Sequence, residues 1–216
     1  MNALIAAAIH DSKNSLHALN ACLIDAQNQA PSPALDEARI ITDQIGAQLV
    51  ELLAVYRASE GNLRLAVDDH DLREFIEEVQ LEPLLPLTLR NTITVTYDLT
   101  EIDQIGAWAF DAYQVKLVLL DALRNAVRHA KTQVCCRVGR ASDGGLEFSV
   151  VDDGPGFPAE VLGGEDTSMS ADSSGLGLLF ARLIAAQHAT PQGRHGAVAI
   201  DNQGINGGAR LVLHLP

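Results

Sequence analysis

The chain has 216 residues, 47% hydrophobic and 20% charged, enough apolar material to bury a core in one large domain or two small ones and too much for a disordered polymer. Its 15 Lys and Arg face 28 Asp and Glu, a formal net charge of -13, which repels a phosphate backbone over most of the surface and excludes general nucleic-acid binding. No run approaches the roughly 20 apolar residues of a membrane span, and the start, MNALIAAAIHDSKN, lacks the basic region and cleavage site of a signal peptide. A cytoplasmic chain with no direct membrane insertion is expected. Cys22 and the adjacent Cys135 and Cys136 give neither a metal-ligand spacing nor an even disulfide framework, so they read as reduced, packed thiols.

Ile5, Ile9, Leu16, Leu19 and Leu23 fall on one face of a helix over residues 2–29. Ala30-Pro31-Ser32-Pro33-Ala34 breaks it, because each proline removes a backbone donor and restricts the residue before it. A second helix follows over about 35–59, with Ile41, Ile45, Leu49, Leu52 and Tyr56 on one face. So short a turn makes the two helices antiparallel. A lone hairpin cannot cover both apolar seams, and a four-helix bundle formed by two chains is the economical solution.

After Gly61-Asn62 the alternation of Leu63, Leu65 and Val67 predicts a short strand and a domain boundary. Asp71 can cap a helix over 72–82, ended by Pro83 and Pro86. Strands are expected at 92–99, 132–139, 145–151, 196–201 and 209–215, and helices at 112–130 and 176–188. The fold class is α+β: an N-terminal helical hairpin, residues 1–60, then a two-layer sandwich over 61–216 with helices on one face of a largely antiparallel sheet.

Three features of the second domain carry chemistry. Asp121, Asn125 and Arg128, at spacings of four and three, share one face of the long helix. Val150-Val151-Asp152-Asp153-Gly154-Pro155-Gly156-Phe157 ends an apolar strand with a carboxylate able to accept a hydrogen bond from an exocyclic amine, and with glycines that let a ligand approach the backbone. Ser173-Ser174-Gly175-Leu176-Gly177-Leu178 precedes a helix, whose N-terminal N–H groups and dipole favour phosphate.

In this order and spacing the three closely resemble the nucleotide-binding motifs of the ATPase domain of sensor histidine kinases and their gyrase, chaperone and mismatch-repair relatives. The resemblance covers about residues 61–216 and extends to the ending Gly207-Gly208-Ala209-Arg210-Leu211. It implies ATP and Mg²⁺ as ligands. By position, Asn125 corresponds to the magnesium-binding asparagine, Asp152 to the carboxylate that recognises the adenine amino group, and Gly154, Gly156, Gly175 and Gly177 to the glycines around base and phosphates. Arg128 falls where the family carries a basic residue facing the phosphates, and Asp121 is a second candidate at the metal. The family commonly has asparagine at Asp121 and glycine at Ser173, and a phenylalanine-bearing segment that is absent here. The lid from Phe157 to Ser174 holds Glu160, Glu165, Asp166 and Asp172 but no Lys or Arg, leaving Mg²⁺, Arg124, Arg128 and the helix start near Gly177 to neutralise the phosphates. Weak, strongly magnesium-dependent nucleotide binding is expected.

The first helix contains His10-Asp11-Ser12-Lys13-Asn14, which resembles the phosphoacceptor box of histidine kinases. His10 and Asn14 stand one turn apart on one face, beside the apolar seam. Asp11 can hydrogen-bond one ring nitrogen and raise the nucleophilicity of the other, and Asn14 could position water against an acyl phosphate on a partner. His17 is a competing acceptor. The resemblance implies a two-component histidine kinase core: a homodimer through residues 1–60 whose His10 takes phosphate from ATP and passes it to the aspartate of a response-regulator receiver domain. Two alternatives stand beside it, a histidine phosphotransferase with a degenerate ATPase domain and a serine kinase of the anti-sigma-factor type with Asp121 as base. The nine residues ahead of His10 leave no room for a sensor, so input is expected from another chain or from a longer protein of which this is a piece.

Overall fold

The computed structural model describes residues 2–82, 84, 92–163 and 175–216, with the side chains of residues 2–8 and of His10 outside that description. The chain divides into two compact units, residues 1–63 with 85–90, and residues 64–84 with 91–216.

In the first unit α1 (Asn2–Gln29) and α2 (Pro33–Ser59) run as an antiparallel hairpin. Ser32 caps α2, its Oγ accepting the Leu35 N–H at 3.2 Å, and Pro33 takes the first helical position, where its missing N–H costs nothing. Gln27 braces the turn, accepting the Ser32 N–H at 3.1 Å and donating to Asp36. Asn20 donates to Asp43 Oδ1 at 2.8 Å and fixes the register of the two helices. Ile9, Ile40 and Ala54 are buried, whereas Leu19, Ile24, Ile41, Ile45 and Leu52 are exposed. Cys22 is also exposed, against the expectation of a packed thiol.

The second unit opens with β1 (Asp68–Asp71), α3 (Leu72–Leu81), β2 (Thr94–Asp98), the short α4 (Ile102–Ile105), β3 (Ala107–Phe110) and α5 (Ala112–His129). It continues with β4 (Gln133–Arg140), β5 (Leu146–Asp152), a second short helix α6 (Ala159–Leu162), α7 (Leu176–Gln187), β6 (Ala197–Asp201), a 3₁₀ turn (Ile205–Gly207) and β7 (Arg210–Leu215). The predicted strand at 63–67 is not formed. Residues 62–67 carry no ladder, the Ala66 N–H goes to the Asp111 carboxylate at 2.8 Å, and the strand lies later, at β1, paired antiparallel with β3. Asp71 caps α3 as expected, accepting the Arg73 and Glu74 N–H groups. Pro83 and Pro86, its predicted stops, lie outside the described residues.

The main sheet has the order β2-β4-β5-β7-β6, parallel between β2 and β4 and antiparallel elsewhere. The period of two along β5 turns Leu146, Phe148 and Val150 inward. They meet Val115, Leu119 and Leu123 of α5, Phe180 and Ile184 of α7, and Phe75 and Ile76 of α3 in one apolar layer. Phe75 packs edge-on against Phe110 and Phe148, at ring centroid distances of 4.9 Å and 5.8 Å. Cys135 and Cys136 point to opposite faces of β4, and burial pushes the Cys136 thiol up to about 12.

Candidate nucleotide site

The alternation that builds the core also builds the site. Asp152 is the next member of the inward row Leu146, Phe148, Val150, so a carboxylate enters the apolar layer at the sheet's end, 3% exposed. Such a group needs hydrogen bonds. Its Oδ1 accepts the Gly154 N–H at 2.7 Å and the Ala209 N–H at 3.2 Å, and Oδ2 has no partner among the described residues. The turn from Gly204 to Gly208 closes over the Asp152 backbone, and at either glycine a Cβ would overlap backbone oxygen. The result is a fixed, buried acceptor with one unused oxygen, suited to a planar ligand bearing an N–H donor.

The neighbouring Asp153 does a different job. Its carboxylate accepts the backbone N–H groups of Lys131, Thr132 and Gln133 and the Thr132 hydroxyl, at 2.6–3.1 Å. The Thr132 bonds foremost hold its carboxyl far below the usual carboxylate range. Asp153 thus ties the end of β5 to the turn between α5 and β4. Gly154 lies against the His129 carbonyl, where a Cβ would come within 2.5 Å, so the loop after β5 rests on the last turn of α5. Gly156 has φ +82° and sits under Asn202, which accepts the Phe157 N–H at 2.6 Å and donates to its carbonyl at 3.1 Å. Asn202 was not singled out in the sequence; the only signal there is its place in the Asp201-Asn202-Gln203-Gly204 turn.

On α5, Asn125 donates through Nδ2 to Asp121 Oδ2 at 3.0 Å, which leaves its carboxamide oxygen as an acceptor. Gly177, in the first turn of α7, abuts the Asp121 carboxylate closely enough that a Cβ there would overlap Oδ2. Burial pushes the Asp121 carboxyl above its ordinary value, against the opposing effects of Arg124, Arg128 and the Asn125 bond. Arg128 is exposed at the last turn of the helix. Gly175 takes the left-handed conformation, φ +65°, ahead of α7, which has no side-chain cap. Ser173, Ser174, Glu165, Asp166 and Asp172 lie outside the described residues; Glu160 is exposed on α6.

The three sequence features therefore meet around α5: the loop after β5 at His129, the start of α7 at Asp121. His10, Asp11 and Asn14 stand on α1, in the other unit, with Asp11 and Asn14 exposed. Among the described residues no three His, Cys, Asp or Glu side chains gather as a metal cage. Oxygen donors at Asn125 and Asp121 fit a hard cation that brings phosphate oxygens as its remaining ligands, the usual mode of Mg²⁺.

Residues 110–216 match the family model of the histidine kinase-, DNA gyrase B-, and HSP90-like ATPase. Over 106 residues the chain is 31% identical to a Rickettsia prowazekii (strain Madrid E) protein described as an NtrY-like sensor histidine kinase; the match covers 46% of this chain and 17% of that relative. Among solved structures, the Acinetobacter baumannii histidine kinase AdeS superposes with a TM-score of 0.58 at 16% identity, covering 94% of this chain and 95% of its own. Full-length ShkA in complex with AMPPNP gives 0.67 at 18% identity, covering all of this chain and 46% of its own. The catalytic domain of the histidine kinase ThkA gives 0.57 at 20%, covering 70% of this chain. The helical hairpin and the α+β domain after it thus share the fold of histidine kinases. Among the described residues no helix is long and apolar enough to cross a membrane.

Proposed function

We propose that the chain is a cytoplasmic two-component histidine kinase core, with residues 1–60 as the dimerising, phosphoaccepting hairpin and 61–216 as the ATP-binding domain. ATP is the substrate. Asp152 Oδ2 accepts from the adenine amino group, Gly154 and Gly156 let the base lie on the backbone, and Gly175 and Gly177 open the helix start to the phosphates. Asn125, with Asp121, would hold Mg²⁺, which offsets phosphate charge. Arg128 adds a cation at the same end of α5.

His10 attacks the γ-phosphorus with a ring nitrogen, and the bond to the bridging oxygen breaks as ADP leaves with the electron pair. Asp11 accepts a hydrogen bond from the other ring nitrogen and stabilises the positive charge that develops on the ring. The phosphoryl group then passes to an aspartate of a response-regulator receiver domain, and Asn14 positions water for the reverse loss of phosphate. The observation that supports the reading is the buried Asp152 carboxylate, held through one oxygen and with no partner at the other among the described residues, in a chain whose first helix carries the His10 box.

The test is incubation with labelled ATP in wild type and His10→Gln. Label on wild type and none on the variant is expected; label retained by the variant refutes His10 as acceptor.

A second reading has an observation of its own. Asp121 sets a carboxylate against the first turn of α7, where phosphates would lie, which favours a histidine phosphotransferase that kept the fold and lost the kinase. Calorimetry with magnesium-ATP separates the two, since the relay predicts no heat of binding yet transfer between two regulators through His10. The serine-kinase alternative predicts phosphoserine on a partner and indifference to His10→Gln.

A further inference from the structure

Asp111 follows β3 and caps α5, 5% exposed, and its polar groups reach three separate parts of the chain. Oδ1 accepts the Gln114 N–H at 3.0 Å and closes the first turn of α5. Oδ2 accepts the Ala66 N–H at 2.8 Å, from the ladder-free segment that follows the hairpin in sequence. Its backbone N–H donates to Nε2 of His188, the C-terminal cap of α7, at 3.0 Å.

His188 is 3% exposed, and its geometry fixes its protonation. Nε2 takes an N–H, so the ring proton sits on Nδ1, which donates to the Ile184 carbonyl at 2.8 Å. An imidazolium has no acceptor and cannot keep the Asp111 bond. The charged group acting on the ring is the Asp111 carboxylate; α7 presents only the Ile184 carbonyl, and across the next turn the His195 ring bonds Ala186 O instead. Burial, the largest influence, lowers the proton affinity of His188.

The helices joined here are the ones whose other faces and ends form the candidate site: α5 carries Asp121, Asn125 and Arg128, and α7 begins at Gly177's turn. We propose that Ala66, Asp111 and His188 form a tie that couples the segment following the hairpin to α5 and α7, with Asp111 and His188 as positioning residues. Tension on residues 64–67 is transmitted through Asp111 to the far end of α7, whose near end meets the phosphates. The coupling is reciprocal, as any equilibrium linkage must be. Only its consequence for ATP rests on the function proposed above.

The experiment is amide hydrogen exchange on the full chain, with protection compared at Ala66 and at residues 185–189. His188→Leu removes the acceptor without touching Ala66, yet protection of the Ala66 amide is expected to fall about ten-fold or more, while His188→Gln, able to accept and donate, restores it. As pH falls below about 6.5, the ordinary histidine value, Ala66 protection falls in wild type and stays flat in His188→Gln, a difference that simple loss of packing does not produce. Ala66→Pro, a change in a loop, removes the donor and lowers protection at 185–189. Ala66 protection unchanged in His188→Leu overturns the tie, and if that variant does not fold, unchanged exchange at 185–189 in Ala66→Pro overturns it alone. In the nucleotide arm Ala66→Pro raises the Kd for magnesium-ATP about three-fold or more. A wild type that binds no ATP overturns the nucleotide reading, and the exchange result still decides the tie.

Discussion

The α+β domain holds Phe110, Phe148 and Phe180 wholly out of solvent, whereas the hairpin leaves Leu19, Ile41, Ile45 and Leu52 between 43% and 49% exposed. Both are built from regular helices and strands, so the contrast is one of geometry and not of sequence quality. A sheet covered by three helices can enclose its apolar row on every side, but two antiparallel helices bury one seam each and leave the rest. The difference teaches that the α+β domain encloses its own core, while the hairpin has a second apolar face that the proposed dimer would cover.

The largest effect should come from breaking that second face. Ile45→Asp with Leu52→Asp is expected to weaken the proposed self-association at least about a hundred-fold and to lower helix content, leaving the melting of the α+β domain unmoved; sedimentation and far-UV dichroism read both. A variant that stays dimeric would break the comparison by placing the interface elsewhere.

Next in size is Asp152→Asn. A retained oxygen can still accept from Gly154 and Ala209, but the amide nitrogen would face the donor of the ligand. Loss of about 2 kcal/mol for a charge-assisted hydrogen bond corresponds to roughly thirty-fold in nucleotide affinity, with the melting temperature nearly unchanged. Calorimetry measures the first and thermal melting the second, and excess chelator should remove binding even in wild type.

The smallest effect on binding belongs to Asp153→Asn, which should leave nucleotide affinity within about two-fold and lower stability instead. Because the folded carboxyl is held below its unfolded value of about 3.9, Asp153 stabilises the domain at neutral pH and loses that contribution as pH falls below about 4. The gap between wild type and variant in denaturant midpoint should therefore close on acidification. A gap that persists at low pH would mean the residue acts through packing rather than charge.

Two adjacent aspartates with opposite duties show what could be read from the sequence. Period two along β5 already places Asp152 with Leu146, Phe148 and Val150, so its inward direction was legible. That Asp153 would gather three backbone donors from residues 131–133 was not, because it depends on where a turn distant in sequence passes. The long helices and strands were legible for the same reason as Asp152, since many residues repeat one period. The four-residue elements β1, α4, β3 and α6 are shorter than a period can resolve. Leu63, Leu65 and Val67 misled because alternation reports which sides a segment presents, not whether a neighbour completes its ladder; here Asp111 takes the donor at Ala66. Asn202 and His188 escaped notice because each acts through one long-range contact, with no motif around it.

The place of β7 in the sheet has a consequence for how the protein is made. The last strand of the chain lies between β5 and β6, with neighbours on both sides. While the ribosome is still working, the hairpin can zip up, yet β6 has no strand to pair with until Arg210–Leu215 emerges. The same final stretch delivers the Ala209 N–H to Asp152. A product cut short before residue 209 therefore loses the sheet's closure and one of the two N–H groups that hold the Asp152 carboxylate, and presents an orphaned strand edge to the cell's proteases. Emergence of Arg210–Leu215 is thereby the step that closes the sheet and, with Ala209, completes the support of Asp152.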